Sequence, residues 1–209
     1  MFPLALLNSS LPPTNPNILL LCGFESDFTD GASFNRNFTT EIGDPSIVDS
    51  SLFLNDDILT TADVSGFDLL SSDFTMEFYI KVSSHTATLR GLFGISDATF
   101  TKGFRVYFNN TDQLIFQCRI SGVGGFSSIT VPTAFAIGTR TKVAVVKSGS
   151  TVRILVNDVV AVTQTFGSTL VSYASETSFK IGVLVGLIPN QYAKNIYLDN
   201  LKIIKEVLY

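Results

Sequence analysis

The sequence predicts an all-β protein of two antiparallel sheets packed face to face, and three observations carry that expectation. Apolar and polar residues alternate over many short stretches, turn-forming Gly, Ser, Asn and Asp cluster between them, and no window longer than a turn or two carries an apolar period of 3.6 residues. At 209 residues the chain is expected to make one such unit.

Residues 1–17 (MFPLALLNSSLPPTNPN) read as an arm punctuated by Pro, Asn and Ser, with one apolar knot at residues 2–7. A segment of this kind docks rather than folds alone, so Phe2, Leu4, Leu6 and Leu7 are candidate partner-binding residues. Over residues 18–209 the pattern is β throughout, and this stretch is the predicted domain. Its clearest strand is Phe74–Val82: Phe74, Met76, Phe78, Ile80 and Val82 share one face, and Thr75, Glu77, Tyr79 and Lys81 the other. Phe104, Val106 and Phe108 alternate in the same way, residues 109–112 turn the chain, and Leu114, Phe116, Cys118 and Ile120 return, which predicts a hairpin. A second hairpin folds residues 142–147 onto residues 152–156 through Ser148-Gly149-Ser150, and Asn157-Asp158 turns the chain again into residues 159–162. In the last strand Ile196 and Leu198 have one parity and Leu201 and Ile203 the other, so the register must shift near Asp199-Asn200, as a β-bulge allows.

Composition removes several functional classes. Only 15% of residues are charged, against roughly 25% in an average soluble chain, and the mean hydropathy is +0.35. A chain with 18 Phe and a net charge of −4 buries enough surface to escape disorder. Residues 18–24 form the longest apolar run, far short of the ~20 residues that span a bilayer. The pI near 4.9 and the singly scattered Lys and Arg disfavour nucleic acid as a ligand. The first residues lack the basic segment of a secretory signal, so none is expected. Cys22 and Cys118 each sit in an apolar run and read as buried thiols acting as small hydrophobes, ahead of a bridge between them. Ile115, Val146 and Leu155 face outward on their strands; they are expected to lie under neighbouring subunits or the second sheet.

Four strings, in order and at the right spacing, carry a resemblance. They are ILLLCGFESDFTD at residues 18–30, SDFTMEFYIK at 72–81, KVAVVKSGSTVRILVND at 142–158 and IYLDNLKII at 196–204. Together they resemble the laminin-G-like, concanavalin A-like lectin/glucanase domains, with their "DFTIEFWV" strand, "WHHVAVTRDGSTVRLYVDG" hairpin and closing "YIDEVRIY" strand. The resemblance implies a jelly-roll sandwich. Two departures stand out, since Tyr79 and Arg140 occupy positions where the pattern carries Trp, and the chain has no Trp at all. Sugar stacking would therefore fall to Tyr and Phe. The acidic Glu-x-Asp-x-Glu triplet of the related glucanases is missing, because Glu77 is flanked on its face by Thr75 and Tyr79. His85, the single histidine, gives little basis for a zinc site or a Ser-His-Asp triad. No enzymatic activity is expected. The resemblance also implies a structural calcium ion on Asp199, with Glu25, Asp27 or Asp30 supplying further oxygens. By family analogy the chain is expected to be a non-enzymatic decorating protein of a multi-subunit assembly, on the surface of a phage virion, homo-oligomeric and bound through its arm. Host-glycan adhesion is a further expected role, and the alternative is a secreted, extracellular carbohydrate-binding module.

Overall fold

The computed structural model describes residues 17–29, 31–32, 36–62, 64, 67, 69, 71–96, 100–119, 125–166, 178–186 and 191–209. Among them every regular element is a strand. The larger sheet runs in the order β13 (Val159–Thr165), β12 (Thr151–Val156), β11 (Arg140–Ser148), β6 (Phe74–Val82), β17 (Ile196–Ile204), β4 (Ser51–Leu54) and β3 (Ser46–Val48). One end of β17 pairs with β4 and the other with β1 (Ile18–Cys22). The second sheet runs β10 (Phe126–Thr130), β9 (Leu114–Arg119), β8 (Gly103–Phe108), β7 (Arg90–Ser96), β14 (Phe179–Ile181), β5 (Ile58–Thr61) and β2 (Thr39–Ile42). A separate pair, β15 (Val183–Leu184) and β16 (Gln191–Tyr192), completes the described elements. All of the strand pairings are antiparallel, as the alternation predicts.

The two sheets meet through aromatic side chains. Phe74 and Phe78 of β6 are fully buried, and their rings contact Phe116 of β9 at 6.0 Å and Phe93 of β7 at 5.2 Å, the latter edge to face. Phe104 and Phe108 are buried in the same core, so the inward positions expected from alternation are inward. Cys22 and Cys118 lie buried in different sheets with no bridge between them. Burial pushes the Cys118 thiol up to about 12, which leaves it inert.

Both predicted hairpins form. Phe104 pairs with Cys118 and Phe108 with Leu114, while Asn109 Oδ1 caps the turn by accepting from the amides of Thr111 and Gln113. Val156 pairs with Val159 across Asn157 and Asp158, whose φ angles of 51° and 65° make the two-residue turn that matches strand twist. The bulge in β17 is also present. Asp199 pairs with Tyr79 and Lys202 with Glu77, so one extra residue sits on β17, and Asn200 at φ 49° absorbs it.

The outward apolar residues correct an expectation. Ile115, Val146 and Leu155 are already buried within the single chain, and what covers them is not the facing sheet but segments on the outer faces. On the second sheet, Ile115 packs with Tyr107 and with Leu184 of β15, which crosses the outside of β7. Arg105 helps to hold that crossing, donating to Gln117 Oε1 at 2.7 Å and to the Val185 carbonyl at 3.0 Å. Burial lowers its guanidinium to about 10. On the larger sheet, the C-terminal residues 205–209 cross the outer face. Thr75 Oγ1 donates to the Glu206 carbonyl at 2.8 Å, the Tyr209 hydroxyl donates to Glu77, and Arg153 donates to the Tyr209 carbonyl at 3.2 Å. Thr75 and Arg153 are the cross-strand partners of Val146, so the tail spans the ground in which Val146, Ala144 and Leu155 cluster. Much of the apolar excess is thus covered by the chain itself.

The arm begins from a fixed point, the Asn17 carbonyl accepting from the Lys205 amide at 2.9 Å. Phe2, Leu4, Leu6 and Leu7 lie outside the described residues.

Candidate functional site

Where the tail ends, the outer face of the larger sheet opens into a pocket of about 400 Å³. Strand pairing assembles it. Tyr79 and Lys81 leave β6 on the outer face, Arg140 of β11 and Tyr197 of β17 are both register partners of Lys81, and Asp199 is the partner of Tyr79. Glu25 from the segment after β1 and Asp49 from the β3–β4 turn complete the wall. That turn has two residues, Asp49 and Ser50, at φ 51° and 56°, the twist-matched geometry that Asp tolerates.

Cations and rings are interleaved in this wall. The Arg140 guanidinium lies 3.7 Å from the centroid of the Tyr79 ring and donates to Asp199 Oδ2. Lys81 Nζ lies 4.0 Å from the centroid of the Tyr197 ring, and Tyr197 packs on Phe53 at 4.8 Å. Tyr79 and Arg140, the two positions that depart from the Trp-bearing pattern, therefore touch. A planar cation on a phenol ring replaces an indole. Asp199 is 7% exposed, and its Oδ1 is buried with no hydrogen-bond partner among the described residues. A buried acceptor of this kind is costly unless something donates to it.

A family model described as concanavalin A-like lectin/glucanases superfamily, of the laminin-G type, matches residues 54–208. The chain belongs to this superfamily. No curated protein matches the chain by sequence. Among solved structures, the superfamily fold is shared with the botulinum neurotoxin serotype D binding domain, at 10% identity and a TM-score of 0.71 over 92% of this chain. It is shared with botulinum neurotoxin type C, whose cell entry is described as dependent upon interaction with two ganglioside molecules, at 14% identity and a TM-score of 0.69. The binding domain of neurotoxin DC in complex with rat synaptotagmin II matches at 12% identity and a TM-score of 0.69. In each case this chain spans 49% of the neurotoxin chain. At such identities the likeness shows the fold alone.

The calcium ion implied by resemblance to the superfamily asks for six to eight converging oxygens. The described residues do not fit it. Arg140 holds one oxygen of Asp199, and Asp27 Oδ1 accepts from the Thr29 amide at 3.0 Å and hydroxyl at 2.6 Å, a local turn. Glu25 does share a pocket with Asp199, whereas Asp30 lies outside the described residues. Among the described residues no three acidic, His or Cys side chains converge as metal ligands. At Asp199 the positive charge is a guanidinium.

Reading residues along the chain also missed a second cluster. His85 Nδ1 lies 2.6 Å from Asp112 Oδ2, and Asp112 Oδ1 accepts from Arg90, whose guanidinium is fully buried. Arg90 further donates to the Ser84 carbonyl at 3.1 Å and the Lys194 carbonyl at 3.4 Å, so it binds three loops together. Ser84 Oγ, beside His85 in sequence, accepts from Asn195 Nδ2 at 3.0 Å. The His–Asp contact thus belongs to a structural lock. Its only sequence signal was Asp112 in a turn.

Proposed function

We propose that the chain is a non-catalytic saccharide-binding module that holds its glycan in the pocket between Tyr79, Arg140, Tyr197 and Asp199. The observation that carries this reading is a guanidinium held in place by Asp199 and sharing one open pocket with two tyrosine rings. Sugar hydroxyls donate and accept at once, so one can donate to a carboxylate while its neighbour accepts from Arg140 or Lys81. The C–H faces of the sugar pack on what the tyrosines leave open. The outer face of β6 bears on catalysis too. Glu77, the acid nearest to where related glucanases carry their triplet, is engaged by Tyr209 and by Lys142 at 3.3 Å, beneath the C-terminal tail. It has no second carboxylate on its strand to work with. Neurotoxin type C, of which this chain spans 49%, is described as dependent upon gangliosides for cell entry, and that is in keeping with a saccharide ligand.

Screening the chain on a glycan array tests the proposal. Binding is expected, and Arg140→Gln and Tyr197→Ala should each weaken the best ligand by about tenfold, with thermal unfolding confirming that both variants fold. An array on which nothing binds would sink the reading.

A second reading, decoration of a multi-subunit assembly such as a virion surface, has one observation in its favour. Strand β13 is an edge among the described strands, carries no charge over Val159–Thr165 (VVAVTQT), and exposes Val159 and Val160. Soluble proteins usually guard such an edge with Lys or Pro. Sedimentation should then show an oligomer that Val160→Lys dissociates. A monomeric wild type would leave the extracellular module as the better account.

A further inference from the structure

The same pocket carries a statement about which saccharides it admits, one that rests on the saccharide-binding reading. Its lining contains three carboxylates, Glu25, Asp49 and Asp199, and two cations, Lys81 and Arg140. One negative charge is therefore left over. Arg140 is paired with Asp199, whereas Lys81 lies over the neutral Tyr197 ring and keeps its charge. Glu25 and Asp49 are exposed and pair with no cation among the described residues. An incoming acidic group would meet two carboxylates at the rim against the single ammonium of Lys81, all three unpaired among the described residues. Like charges brought together during binding are strongly disfavoured, and in a half-open pocket water screens them only in part. A hydroxyl or an amine has the opposite experience, because each can donate to the exposed rim carboxylates of Glu25 and Asp49.

We infer that the pocket selects saccharides lacking acidic groups and rejects their sialylated or sulfated counterparts. The two rim carboxylates set this preference, and Asp199 with Arg140 sets the position of the sugar. Selectivity of this sort is electrostatic, so it weakens as salt shortens the reach of the rim charges.

Matched oligosaccharide pairs, identical except for a terminal sialic acid or sulfate, provide the test on the full chain at low salt. Where the uncharged member binds, it is expected to bind about tenfold more tightly than its acidic mate. The double variant Glu25→Gln/Asp49→Asn should bring the two within about threefold. Both residues are exposed, and Asn tolerates the positive φ of position 49, so the fold is not at stake. Equal or tighter binding of the acidic mate by the wild type would overturn the inference, as would a preference that the double variant leaves unchanged. Binding to no member of any pair would instead remove the saccharide reading beneath it.

Discussion

Replacing Gly91 with alanine is expected to destabilise the protein by about 3 kcal/mol or more, at the upper end of what overpacking costs. A Cβ at this position would stand 1.8 Å from the Leu184 amide nitrogen and 1.9 Å from the Val183 carbonyl carbon. Those are backbone atoms of β15, and no rotamer change can move them aside. The strand would have to lift from β7, uncovering Leu184, Tyr107 and Ile115, which now bury one another on the outside of the second sheet. Urea unfolding should show the lost stability, and hydrogen exchange should locate early opening at Val183 and Leu184. A loss below about 1 kcal/mol would mean that β15 does not pack as described.

The second large effect is expected at Arg90. Its guanidinium is fully buried, and burial lowers its pKa against the opposing pull of Asp112. Arg90→Leu would leave the buried Asp112 carboxylate with only the partly exposed His85 beside it, and removing one member of a buried pair costs about 3–5 kcal/mol. Asp112→Asn in the same chain should restore a large part of that loss, because an amide tolerates burial better than an unpaired charge. Chemical unfolding of both single variants and the double variant closes the cycle. Additive effects would show that the two residues do not act as a pair. Since Arg90 also bonds the Ser84 and Lys194 carbonyls, the double variant should remain somewhat less stable than the wild type.

How much of this was legible along the chain depended on distance in sequence. Alternation placed Phe74, Phe78, Phe104, Phe108 and Phe116 inward because a strand turns its side chains by half a rotation per residue, a property that needs no partner. Turn residues placed the hairpins for an equally local reason. The parity change around Asp199 announced the bulge, and β17 has it. Outward residues were harder to read. Period 2 says that Val146 and Ile115 leave the central core, but it cannot say that residues 205–209 and β15 come back to cover them.

The pocket shows the same division. Tyr79 and Arg140 stand out in the sequence as departures from a Trp-bearing pattern, and Asp199 stands out for its bulge. Their contact follows from β11 and β17 flanking β6 in one sheet, which sets Arg140 and Tyr197 opposite Lys81, and Asp199 opposite Tyr79. The sequence by itself determined the strand faces, the tight turns and the family, because each is written in short-range alternation or in ordered strings. Only the tertiary structure decided that Asp199 meets a guanidinium, that the tail shields Val146, and that Arg90, Asp112 and His85 form one cluster. Those contacts join residues far apart in the chain, and they exist only once hydrogen bonding between strands has set order and register.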